Sequence, residues 1–146
     1  MLKEQRPRTF IIEANAFSVN AVMDELFKHD GVVVGLASFR DTAMLCLNTI
    51  QRERESLDVV IIASTIGQVL SSHQVKYLEC TLTLVEQLRQ RFNEIIVGGA
   101  RDARHLELMK KAGCDDAILH QGCGGFTGAE TIQRALELWQ TAKVCC

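Results

Sequence analysis

Short unbroken apolar runs alternate along this chain with longer stretches in which apolar residues recur at helical spacing. Thr9-Phe10-Ile11-Ile12-Glu13 predicts a first strand. Phe17, Ala21, Val22, Leu26 and Phe27 place one apolar stripe on a helix over 17–29, and Asp30-Gly31 marks the turn that follows. Val32-Val33-Val34-Gly35-Leu36 predicts a second strand. A second helix, beginning at Ser38 or at Asp41, carries Ala43, Leu45, Leu47 and Ile50. Val59–Ile62 predicts a third strand, buried on both faces because it lacks polar alternation. A long helix is expected over 69–92, with Val75, Leu78, Leu82, Val85 and Phe92 on one stripe. Ile95-Ile96-Val97-Gly98-Gly99 predicts a fourth strand, and 102–112 a helix closed by Gly113. Asp116-Ala117-Ile118-Leu119-His120 predicts a fifth strand, and 128–142 a last helix.

Strands that alternate with helices imply an α/β fold with a parallel sheet, because each crossover helix must pack back onto that sheet. The expected architecture is a flavodoxin-like three-layer sandwich, with a five-stranded parallel sheet in the order 2-1-3-4-5 and five helices. Residues 1–8 read as a charged leader holding the sole proline, Pro7. Residues 9–144 read as a single domain, and 145–146 as a Cys-Cys tail. A chain of 146 residues is long enough to bury its own core without disulfides or a metal.

Composition narrows the function classes. With 47% apolar and 23% charged residues and a net charge of −2, the chain lacks the basic excess of a nucleic-acid or membrane surface. Its apolar runs are too short to span a bilayer. The start is polar and does not resemble a signal peptide. The six cysteines form no CxxC pair, and Cys46, Cys80 and Cys114 fall inside apolar patterns as small core residues. Free thiols fit a cytoplasmic location. Adjacent cysteines such as Cys145-Cys146 rarely form an unstrained mutual disulfide; soft-metal binding, cross-linking and a tail with no role all fit the pair.

In open α/β sheets chemistry collects at the carboxyl ends of the strands. The third strand ends there in Ala63, whose methyl group is neither nucleophile, base nor ligand. Ser64 and Thr65 follow it as hydroxyls without an obvious base in the sequence, and the G-x-S-x-G elbow is missing. The first strand ends in Glu13-Ala14-Asn15, where a phosphate-binding loop would need glycines. Glu13 and Asn15 can face a cation there; alternatively Asn15 or Ser18 caps the first helix and Glu13 is solvated. Gly98-Gly99 permits close approach of another molecule or a tight turn. Gly122, Gly124, Gly125 and Thr127 precede the last helix, with Thr127 and Glu130 spaced as a capping box, so the segment reads as an anion cradle or as a capped loop. His120 and Cys123 lack two further ligands at metal-binding spacing. Tyr77, Leu84 and Leu88, with Leu138, Trp139 and Val144, form either an apolar contact surface or a second buried stripe.

Several of these features together resemble the receiver domain of two-component response regulators. They are the acidic Glu13 after the first strand, the helix running to Gly31, and Ala37 and Ala43 after the second strand. Asp58-Val59-Val60-Ile61-Ile62 is similar to the aspartate and apolar residues that precede the receiver phosphoacceptor, and Ala112-Gly113-Cys114-Asp115-Asp116 to the turn before its fifth strand. The resemblance implies a phosphorylation pocket at Glu13, Asn15, Ala63, Gly98, Gly99 and His120, and a degenerate one. Ala63 stands where receivers have the acceptor aspartate, Gly98-Gly99 where they have a threonine or serine, and His120-Gln121 where they have a lysine. It therefore implies a pseudo-receiver: a non-catalytic signalling domain without cofactor that acts through a protein partner or a homodimer.

A second resemblance is to cobalamin-binding domains. Gly98-Gly99 is similar to their glycine pair, Ala63-Ser64-Thr65-Ile66-Gly67-Gln68 to their serine-containing segment, and Gly122–Ala129 to their nucleotide loop. The Asp-x-His-x-x-Gly motif, whose histidine ligates cobalt, has no counterpart after the first strand. This resemblance implies, as the alternative, a cofactor subunit using Ser64, Thr65, Gly98, Gly99, Gly122, Gly124, Gly125 and Thr127.

Overall fold

The computed structural model describes residues 6–13, 16–64, 66–67, 76–119 and 128–144. Five parallel strands, β1 (Arg8–Ile12), β2 (Val32–Ala37), β3 (Val59–Ala63), β4 (Ile95–Ala100) and β5 (Asp116–Leu119), form one sheet in the order β2-β1-β3-β4-β5. This is the expected flavodoxin-like order. The register sets Ile12 beside both Ala37 and Ile62, Ala63 beside Gly99, and Ala100 beside Leu119. Pairing of β1 with β2 shifts between Thr9 and Phe10, which leaves a bulge in β2 near Gly35.

The five helices are α1 (Ala16–Lys28), α2 (Arg40–Arg52), α3 (Leu78–Arg91), α4 (Ala103–Ala112) and α5 (Gly128–Val144). Side chains alternate along the strands and so feed two cores. Phe10, Ile12, Val60, Ile62 and Ile96 pack under α2, α3 and α4. Ile11, Val59, Ile61 and Val97 pack under α1 and α5. Covering both faces is why the central strands show no polar alternation.

The helix expected over 69–92 begins instead at Leu78. Lys76-Tyr77 pairs antiparallel with Ile66-Gly67, so that backbone is committed to a short ladder anchored by the fully buried Ile66. Val75 lies outside the described residues. The second helix begins at Arg40, between the two expected starts. Phe39 is its N-cap and makes no side-chain bond, while Asp41 places a negative charge in the first turn, where the helix dipole favours it. Asp102 caps α4 through the His105 backbone N–H at 2.8 Å, and Gly113 closes that helix at φ 132°. A side chain at Gly113 would also collide with Arg89, which binds the Gly113 and Glu94 carbonyls and the Asp115 carboxylate.

The expected apolar contact surface is corrected by burial. Leu84 and Leu88 are fully enclosed, and Trp139 keeps only 8% of its surface. α3 is the middle of three helices on its face and buries more than one stripe, while α5 packs on both the sheet and α1. Leu138 is half-buried against the second core, and the Tyr77 side chain lies outside the described residues. Conversely, Phe27 and Leu45, read as inward-facing, are exposed. Cys80 and Cys114 are buried as expected, and Cys46 is half-buried.

Candidate functional site

The carboxyl edge of β1, β3 and β4 forms the mouth of the sheet. Ala63 ends β3, buried, with its carbonyl taken by the Thr81 hydroxyl of α3 at 2.8 Å. The next residue continues the pairing: Ser64 N–H donates to the Gly99 carbonyl at 2.9 Å. Glu13 follows β1, half-buried, and its backbone N–H is held by the Ala37 carbonyl. Glu13, Ala63, Gly98 and Gly99 lie at the carboxyl ends of three adjacent strands. Asn15 and His120 lie outside the described residues, as do Thr65, Gly122, Cys123, Gly124, Gly125, Thr127, Cys145 and Cys146.

Gly98 and Gly99 do not form a turn, and Gly98 is not an open shelf. β4 runs through both to Ala100. A Cβ on Gly98 would stand 2.3 Å from Met109 Cε and 3.0 Å from Met109 Sδ. Met109 is fully buried, so the space beside this glycine is filled by α4. Gly98 serves helix-on-sheet packing.

The structure adds one residue that the sequence reading passed over. His105, in the first turn of α4, places Nδ1 3.0 Å from Ser64 Oγ. The Arg101 backbone N–H also donates to that oxygen, at 3.2 Å. The direction of the bond between Ser64 Oγ and Nδ1 follows the tautomer of the ring. The other ring nitrogen, Nε2, lies 3.9 Å from the Asp102 carboxylate. The His105 backbone N–H, as the main cause, holds the Asp102 carboxyl below the usual carboxylate range. Serine, histidine and aspartate thus meet, but Ser64 is only 3% exposed and engaged with two partners. The hydroxyl is a strut joining β3 to α4, and lacks the open approach that a nucleophile needs. The signal in the sequence was the spacing Asp102-x-x-His105, which sets a histidine above a capped helix start beside a strand end.

Among the described residues, no group of three or more His, Cys, Asp and Glu side chains could hold a metal ion. No helix among them is long and apolar enough to cross a membrane. Burial pushes the Cys114 thiol up to about 12, which makes it an inert core group.

This sheet order, with helices on both faces, is the fold of response-regulator receiver domains. The receiver domain of Francisella response regulator 1452 superimposes with a TM-score of 0.66 at 17% identity, over 94% of this chain and 99% of that one. A Thermotoga maritima response regulator does so with a TM-score of 0.65 at 19% identity, over 93% and 99%. The isolated receiver domain of RcsB from Salmonella enterica serovar Typhimurium, solved with the phosphomimetic BeF3-, gives 0.69 at 13% identity, over 94% and 90%. No protein-family model matches the sequence, and no curated protein matches it.

Proposed function

We propose that this chain is a pseudo-receiver: a cytoplasmic, non-catalytic signalling domain that acts through contact with another protein and without phosphoryl transfer. The observation that carries the reading is Ala63. It ends β3 in register with Gly99, at the mouth of a sheet whose order is that of receivers. A methyl group there cannot form the acyl phosphate that receivers use. The residue opposite, Gly99, offers no hydroxyl to follow a phosphoryl group. Glu13 is the only acidic residue of the pocket positions, too few for a divalent cation that prefers several oxygen ligands.

The test is an amide NMR spectrum recorded with magnesium before and after beryllium fluoride. The reading expects unchanged signals for Ala63, Ser64 and Gly99; shifts confined to those residues would contradict it. The cofactor alternative is tested on the same preparation by mixing it with cobalamin and with flavin, desalting, and recording visible spectra. A retained chromophore would replace the pseudo-receiver reading. Met109 beside Gly98 argues for the protein-contact reading, because it accounts for that glycine by packing.

A further inference from the structure

A cleft of about 280 Å³ opens beneath the amino ends of β3 and β4, at the edge of the sheet opposite Ala63. The carboxyl-terminal ends of α2 and α3 and the loops that leave them form its walls. Ile50, Leu57 and Phe92, all largely buried, give it an apolar floor. The walls are tied together. The Ile95 N–H donates to the Asp58 carbonyl at 3.1 Å, and Arg89 Nη1 donates to the Glu94 carbonyl at 2.8 Å.

The lining carries both signs of charge. Arg54 and Arg91 bring guanidinium groups that have no ion-pair partner among the described residues. Arg54 stands at φ 55°, in the left-handed region that glycine enters freely and an arginine only at a cost. The turn after α2 thus carries a long cation where a glycine would close it more easily. Glu94 comes from the loop between α3 and β4, and its Oε2 is buried without a hydrogen-bond partner. Its charge is poorly compensated. The Arg89 guanidinium is committed to the Gly113 and Glu94 carbonyls and to Asp115, and Asp58 adds a second negative group. Burial accordingly raises the Glu94 carboxyl. Glu55, the other carboxylate of the lining, lies 4.0 Å from Arg8.

We propose that this cleft binds a small zwitterion, an apolar amino acid whose carboxylate is held by Arg54 and Arg91 and whose ammonium group compensates Glu94. An anion alone would leave the Glu94 charge unanswered, and a cation alone would face two guanidinium groups; a molecule with both signs complements the whole lining. Guanidinium groups hold a carboxylate through paired N–H···O bonds. The volume falls just under the range of about 300–1,000 Å³ found for drug-sized ligands, which sets this ligand at amino-acid size. The cleft shares no residue with the mouth of the sheet, so the inference goes beyond the pseudo-receiver reading and does not depend on it.

The experiment is a titration of the full chain, followed by amide NMR, with L-leucine, with leucine methyl ester, which lacks the carboxylate, and with N-acetylleucine, which lacks the ammonium group. The expected result is saturable shifts at Arg54, Leu57 and Glu94 with leucine, and affinity at least about tenfold weaker for each blocked form. Arg54→Gly removes a guanidinium while suiting the turn, and is expected to weaken leucine binding by a similar factor with an unchanged circular dichroism spectrum. Glu94→Gln is expected to abolish the preference for leucine over N-acetylleucine. Absence of saturable shifts up to the solubility limit of leucine overturns the inference. So does equal binding of leucine and either blocked form, or leucine binding that Arg54→Gly or Glu94→Gln leaves unaltered.

Discussion

Replacing Gly98 with alanine adds one methyl group, and the structure says where it goes. It would stand 2.3 Å from Met109 Cε and 3.0 Å from its sulfur, with Cys114 Sγ at 3.6 Å. Met109 is a flexible side chain, but it is fully buried, so its end must take a new position inside a packed core. Overpacking a core in this way costs about 1–3 kcal/mol. The alanine also stiffens the unfolded chain, which offsets only about 0.4–1 kcal/mol of that cost. Destabilisation wins, and for a domain of this size it lowers the melting temperature by roughly 2–12 °C before the offset. Met109→Ala alone opens a cavity and costs about 2–5 kcal/mol. Combined, the two changes partly relieve one another, because the new methyl occupies part of the vacated space. Urea unfolding of the two single variants and the double variant measures that coupling. A double variant whose loss equals the sum of the single losses would refute the packing role of Gly98 and reopen the strand end as a ligand shelf.

Three further outcomes follow from particular side chains. Glu94 lies in a cleft of about 280 Å³ with Arg54, Arg91 and Asn93, and burial raises its carboxyl above the ordinary glutamate value. A group raised on folding favours the fold while protonated, so this contribution is lost as pH rises from the ordinary glutamate value through the raised one; Glu94→Gln is expected to be more stable than the wild type at neutral pH and to lose that advantage in acid, by urea midpoints at both. Ser64→Ala removes a partner from the Arg101 N–H and from His105 Nδ1, and is expected to cost about 1–3 kcal/mol in chemical denaturation. With its thiol pushed up to about 12, Cys114 is expected to resist a thiol reagent in the folded protein and to react once urea unfolds it, as read by mass of the Cys114 peptide.

The sheet was legible because its evidence is local. Apolar runs such as Val59–Ile62 and Ile95–Val97 can only be buried strands between turn signals, and the crossover rule then orders them. What the pattern could not give was which helical stripe faces inward. Leu45 and Phe27 fit a helical stripe yet stand exposed, while Leu84 and Leu88 fit an outer stripe yet are enclosed by neighbouring helices. Those outcomes depend on how many elements cover each face, which spacing along one helix does not encode. The start of α3 was misplaced for a similar reason. The antiparallel pairing of Lys76-Tyr77 with Ile66-Gly67 commits that backbone to a ladder, which overrides a helical stripe. Ala63 was readable as the end of a strand, whereas the packing of Gly98 against Met109 and the bond between Ser64 and His105, residues 41 positions apart, needed the fold to bring them together.

The most direct measurement of the central claim is the intact mass of the full chain after incubation with acetyl phosphate and magnesium. An unaltered mass is the result the pseudo-receiver proposal predicts, because β3 ends in the methyl group of Ala63. Addition of one phosphoryl group, mapped to an acid-labile acyl phosphate, would contradict the account.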